Sequence, residues 1–124
     1  MDSKKRFDLS NRVAVITGGA GLLGKEHASI IAEAGGIPIL ADVKEEEAKK
    51  KAQEISKKFK VPALGVSADI TNKTKVEQLL KKLIKKFQRV DILINNAAND
   101  PKVDRKNQHS NWSRLENFSL EMWE

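Results

Sequence analysis

The sequence predicts an α/β fold: a doubly wound parallel sheet, truncated after its fourth strand. Three observations predict it. Apolar, β-branched runs alternate with helical patterns in the order β-α-β-α-β-α-β, and strands separated by helices pair in parallel through right-handed crossovers. The first apolar run, Val13-Ala14-Val15-Ile16-Thr17, enters a glycine-rich turn, Gly18 through Gly24, that opens a helix. An acidic residue, Asp42, closes the second apolar run.

Each element follows from local pattern. Residues 1–11 read as a polar lead-in. Arg12 to Thr17 is nearly continuous in apolar residues, as a strand buried on both faces must be. The helix after the glycine turn is predicted to present Leu23, His27, Ile30, Ile31 and Ala34 inward, with Gly35-Gly36 ending it. Ile37 to Ala41 is the second strand; its early proline is tolerated where no N–H is needed. Glu45 to Phe59 is a helix whose acidic start and lysine-rich end complement the helix dipole, with Ala48, Ala52, Ile55 and Phe59 inside. Pro62 to Val66 is a short third strand, and Thr71 or Asn72 caps the next helix. That helix has the cleanest apolar period: Val76, Leu79, Leu80, Leu83, Ile84 and Phe87. Val90 to Ile94 is the fourth strand, ending in Asn95-Asn96-Ala97-Ala98. Residues 99–117 lose all periodicity and read as loop; Ser119 and Glu121 fit the start of a further helix. The whole, 1–124, reads as one partial domain with its core in 8–98.

Composition narrows the function. The chain has 124 residues, no cysteine and no tyrosine. Lack of cysteine rules out disulfides and thiolate metal sites and fits a reducing, cytoplasmic setting. No apolar run approaches the ~18 residues of a membrane span, and no apolar stretch follows Met1–Arg6 to form a secretory signal. The formal charge is +6, which raises nucleic-acid binding as an alternative. The lysines, however, interleave with apolar residues at helical spacing, as on solvated helix faces. Trp112, Trp123 and His109 do not spread along a face as base-stacking platforms would.

The glycine turn carries the strongest chemical signal. Unpaired N–H groups and a partial positive charge at a helix N-terminus suit a phosphate, and glycine lets backbone approach a pyrophosphate closely. The alternative is a tight βα turn that binds nothing. Asp42 at the second strand's end sits where a carboxylate accepts from both adenosine ribose hydroxyls and repels a 2′-phosphate, favouring NAD over NADP; alternatively it only caps the following helix. Lys44 softens that preference. Asp69 could bond an adenine amino group or cap the helix near Thr71, and these readings stand level. Small residues in Asn95-Asn96-Ala97-Ala98 leave room for a ribose, and asparagine amides can tie strand ends together; alternatively, the two adjacent asparagines are an ordinary loop start.

In family order and spacing, Thr17-Gly18-Gly19-Ala20-Gly21-Leu22-Leu23-Gly24, Asp42, Asp69-Ile70 and Asn95-Asn96-Ala97-Ala98 resemble the N-terminal half of a short-chain dehydrogenase/reductase, over roughly residues 8–98. The resemblance implies a Rossmann-like fold and a nicotinamide cofactor held by Thr17, Gly18, Gly21, Leu23, Gly24, Asp42, Asp69, Ile70, Asn96 and Ala97. It also implies hydride exchange with a small-molecule alcohol or carbonyl substrate, a sugar among the candidates. No metal, nucleic-acid or membrane partner is expected, and the parent enzyme is expected to be a homo-oligomer.

Two departures qualify the resemblance. Leu22 stands where the short-chain pattern Thr-Gly-x-x-x-Gly-x-Gly has its middle glycine; the spacing Gly18, Gly21, Gly24 is similar to the extended branch acting on nucleotide sugars. Ala98 replaces the usual glycine of the Asn-Asn-Ala-Gly motif. The resemblance also implies a tyrosine as proton donor or acceptor, a lysine four residues later that lowers its pKa, a serine and an asparagine. No residue of this chain matches those roles, so no catalytic residue is assigned. Ser110, Ser113, Asn107, Asn111 and Asn117 read as loop polar groups, His27 as packing, and His109 as a lone histidine without metal partners. The resulting expectation is a cofactor-binding portion that is inactive by itself, with an apolar edge at Ile92-Leu93-Ile94 prone to self-association.

Overall fold

A computed structural model describes residues 2–98. Four strands form one parallel sheet in the order β3-β2-β1-β4: β1 Val13–Thr17, β2 Ile37–Asp42, β3 Leu64–Ser67 and β4 Ile92–Ile94. The helices are α1 Ser3–Arg6, α2 Leu22–Glu33, α3 Glu45–Phe59 and α4 Lys73–Phe87. The doubly wound parallel reading is therefore correct in class. The loop at 99–117, the helix begun by Ser119 and Glu121, and the polar groups from Asn107 to Asn117 lie outside the described residues.

Burial explains the strand pattern. All five residues of β1 are buried, because α2 and α3 cover one face of the sheet and α4 the other. Ile16, Leu40, Ala28, Ala32, Ala52 and Ile55 build the first layer; Val13, Val15, Ile39, Val66 and Leu83 build the second. Pro38 fits β2 for a specific reason. Ile37 donates its N–H to Arg12 O at 2.8 Å on the β1 side, so by alternation position 38 faces the β3 side. There the ladder begins only at Ile39, opposite Leu64.

Several boundaries and faces differ from the sequence reading. Asp2 caps a short helix, accepting from the Lys4 N–H, where only a polar lead-in was expected. Strand β1 starts at Val13 rather than Arg12, β3 is shifted to Leu64–Ser67, and β4 starts at Ile92. The inward face of α2 is Gly24, Ala28, Ile31 and Ala32, whereas Leu23 and Ile30, predicted to point inward, are each 63% exposed. His27 is half-buried beside that stripe rather than on it. The small residues at 24, 28 and 32 let the helix backbone sit close to the sheet, and that approach turns the larger aliphatics outward. In α4, Leu83 is buried and Leu79 and Phe87 pack against the second layer, while Val76, Leu80 and Ile84 remain exposed. Helix α3 has the predicted bounds; it rests on Gly65, where an added Cβ would stand 2.3 Å from Lys49 N.

Asp91 ties β4 to β1 at their N-terminal ends. It accepts from Arg89 at 2.7–3.0 Å and from the Val13 N–H at 2.8 Å. The Arg89 hydrogen bonds, then the Val13 amide, lower its carboxyl from 3.8 to about 2. A carboxyl lowered in the folded state stabilises fully above its unfolded pKa, and that contribution is lost as pH falls through the folded value. Melting temperature is therefore expected to drop between about pH 4 and about pH 2. Asp91→Asn should be less stable at pH 7 and flatten that part of the curve. An unchanged slope in the variant would show that other carboxyls govern acid unfolding.

A candidate dinucleotide site at the first crossover

The buried strand β1 delivers its last residue, Thr17, to the carboxyl edge of the sheet, where the glycine turn begins. Gly18 has φ +63°, a left-handed conformation that favours glycine. Turn amides can be accounted for one by one. Gly19 N–H donates to Ala41 O at 3.2 Å, Gly21 N–H to Gly18 O at 3.0 Å and Lys25 N–H to Gly21 O at 3.1 Å. Ala20 N–H donates to Asp42 Oδ2 at 3.0 Å. The N–H groups of Leu22, Leu23 and Gly24 find no acceptor among the described residues. They are the first-turn donors of α2, the group that a helix leaves unpaired.

The glycines have separate tasks. A Cβ on Gly24 would fall 2.3 Å from Gly18 O, and one on Gly19 would fall 2.6 Å from Leu40 Cα, so both permit close packing. Gly21, the α2 N-cap at ψ 172°, meets only Gly18 O at 3.3 Å and leaves the mouth open. Leu22 is 79% exposed. A side chain is accommodated at this position because it projects from the helix start rather than into the turn.

Asp42 reaches across from β2. Its Oδ2 holds Ala20 and its Oδ1 accepts from the Lys44 N–H at 2.9 Å, so the carboxylate joins the glycine turn to the β2–α3 turn. An ionised carboxylate has about four acceptor positions, which leaves capacity for two ribose hydroxyls. Asn96 works from β4. Its Nδ2 donates to Thr17 O at 3.1 Å and Gly18 O at 3.3 Å. The Asn96 and Ala97 N–H groups both donate to Thr17 Oγ1 at 3.0 Å. Asn96 thus fastens the ends of two neighbouring strands. Asp69 Oδ1 accepts from the Thr71 hydroxyl at 2.6 Å and the Thr71 N–H at 3.0 Å; those bonds hold its pKa below the ordinary carboxylate value. The cap of α4 is Asn72, which accepts from the Lys75 N–H at 3.1 Å, so Asp69 shapes the preceding turn instead of capping the helix.

A cleft of about 790 Å³ opens above these strand ends. Gly18, Gly21, Leu23, Asp42, Asp69, Ile70, Asn96 and Ala97 line it, together with Leu22 and Lys44. Thr17 and Gly24 stand behind its wall. Thr17 is buried and orients the β4 end, while Gly24 brings α2 against Gly18. Sequence reasoning missed Ala20, whose N–H and carbonyl are both engaged by charged side chains, and Lys51, which reaches that carbonyl from α3. The position of Ala20 inside the glycine turn signalled the first; nothing in the sequence signalled the second. Among the described residues, no group of three His, Cys, Asp or Glu gathers at metal-binding distance.

The family model described as short chain dehydrogenase matches residues 12–121. A short chain dehydrogenase/reductase of Macrophomina phaseolina is 33% identical over 122 residues, covering 95% of this chain and 69% of that protein. An NAD-dependent glycerol dehydrogenase of Listeria innocua is 34% identical over 94 residues, 76% of this chain and 35% of that protein. The crystal structure of an NADPH-dependent 3-quinuclidinone reductase from Rhodotorula rubra superposes with a TM-score of 0.73 at 25% identity, over 98% of this chain and 42% of that one. The chain thus spans less than half the length of the latter two. The family comprises NAD(P)-dependent oxidoreductases acting on small molecules, and the parallel sheet, the glycine turn and the acidic end of β2 agree with it. By the extent of that match and by its fold, the chain belongs to the short chain dehydrogenase family.

Proposed function

We propose that the chain holds the adenosine and diphosphate of a nicotinamide dinucleotide, NAD in preference to NADP, as the N-terminal part of an oxidoreductase. One observation carries this reading. Leu22 and Leu23, whose N–H groups at the start of α2 are unpaired among the described residues, line the same cleft as a carboxylate already fixed by two backbone amides. The amides suit the diphosphate, and Asp42 suits ribose hydroxyls but opposes a 2′-phosphate. Ile70 and the small Ala97 also line that cleft. The bound nicotinamide supplies hydride exchange with an alcohol or carbonyl substrate, a sugar among the candidates.

A narrower reading is favoured by composition. With no tyrosine in its 124 residues, the chain has no phenol to move the substrate's proton, so by itself it is a cofactor-binding module without turnover. Calorimetric titration with NAD and NADP tests the first claim; saturable NAD binding, weaker for NADP, is expected. Absence of saturable binding would overturn it. Hydride transfer by the purified chain, with its mass confirmed, would overturn the second.

A further inference from the structure

Lys51 is an unusual partner for a glycine turn. It lies in the second turn of α3, half-buried, and its ammonium donates to the Ala20 carbonyl. Two other lysines border the same turn, and both are paired with carboxylates. Lys25 lies 3.3 Å from Glu54, and Lys44 lies 3.8 Å from Glu47. Lys51 has no carboxylate within ion-pair distance among the described residues. Its charge is therefore spent on a backbone dipole of the turn that precedes the free amides of Leu22, Leu23 and Gly24.

We propose that Lys51 is a positioning residue for the diphosphate: it pins the Ala20 carbonyl and offsets the Asp42 charge held at the other end of that peptide unit, beside an anion-binding turn. The inference rests on the dinucleotide reading above. The Ala20 peptide unit is gripped on both sides, its N–H by Asp42 Oδ2 and its carbonyl by Lys51. Asp42 alone would leave the carbonyl's negative end uncompensated next to an incoming anion. Lys51 removes that repulsion and, because the site is only partly open to solvent, its charge is screened less than that of the exposed lysines on α4. The ligand chemistry it addresses is the diphosphate, not the nucleoside.

The test compares the unaltered chain with Lys51→Met and Lys51→Arg, using NAD, ADP and adenosine as probes followed by NMR shift titration over a range of salt. Lys51→Met should lose about tenfold in NAD and ADP affinity while adenosine affinity stays within about twofold, since only charge-assisted contacts are removed. Its dependence of ADP binding on salt should also become shallower. Lys51→Arg, which keeps the charge, should recover most of the loss. ADP binding by Lys51→Met equal to the unaltered chain would overturn the proposal. So would an equal loss of ADP and adenosine, which would mark Lys51 as merely structural. If the unaltered chain bound none of the three probes, the dinucleotide reading would fail first and this inference with it.

Discussion

Gly24→Ala is expected to lose stability and dinucleotide binding together. The added Cβ would sit 2.3 Å from Gly18 O and 2.8 Å from Gly19 Cα. Both neighbours are backbone, so neither can rotate aside. Overpacking of this kind costs about 1–3 kcal/mol, equivalent to a fall of several degrees in melting temperature for a domain of about 100 residues. The turn must open by roughly an ångström, displacing the three free amides that would serve as donors to the diphosphate. Gly21→Ala is the informative partner. Its Cβ would meet only Gly18 O, at 3.3 Å, a contact relieved by a shift of a few tenths of an ångström, so melting should fall less than in Gly24→Ala while the new methyl narrows the mouth and weakens NAD. Differential scanning calorimetry with NAD titration of both variants separates the two tasks. Wild-type stability and binding in Gly24→Ala would remove the close approach of α2 to Gly18 from the account.

Asp42→Ala is expected to weaken NAD about ten- to hundredfold, on the scale of one hydrogen bond to a charged acceptor at about 1.5–3 kcal/mol, and to weaken NADP less. The variant removes the acceptor for ribose hydroxyls, but it also removes the charge that would repel a 2′-phosphate. A ratio of NAD to NADP affinity that falls is the signature of a ribose contact. The structure supplies a definite alternative outcome. Because Asp42 also anchors the Ala20 and Lys44 amides, equal losses for both cofactors would mean that it serves the turn and not the ribose. Titration of both cofactors against the same preparation decides between them.

The parts legible in the sequence share one property: they depend on neighbours a few residues away. Glycine spacing after an apolar strand, the acid-to-lysine gradient of α3 and the continuous apolar run of β1 are local patterns, and they placed the crossover and Asp42 correctly. The face of α2 was not legible in the same way. Hydrophobicity ranks Leu23 and Ile30 above Gly24, Ala28 and Ala32, yet close helix–sheet packing selects the small residues. A stripe of small residues four apart was the available signal. On α4 the apolar stripe is wider than the sheet can cover, so Leu83 is buried and Leu80 is not.

The order of strands and helices, the glycine turn at the first crossover and a carboxylate at the end of β2 are written in the chain itself, because hydrophobic period and backbone sterics act over short separations. Only the tertiary structure decided which turn amides stay unpaired, that Asp42 and Lys51 grip opposite ends of one peptide unit, and that Asn96 fastens Thr17. Those contacts join residues distant in sequence, and their geometry exists only once the helices have settled on the sheet.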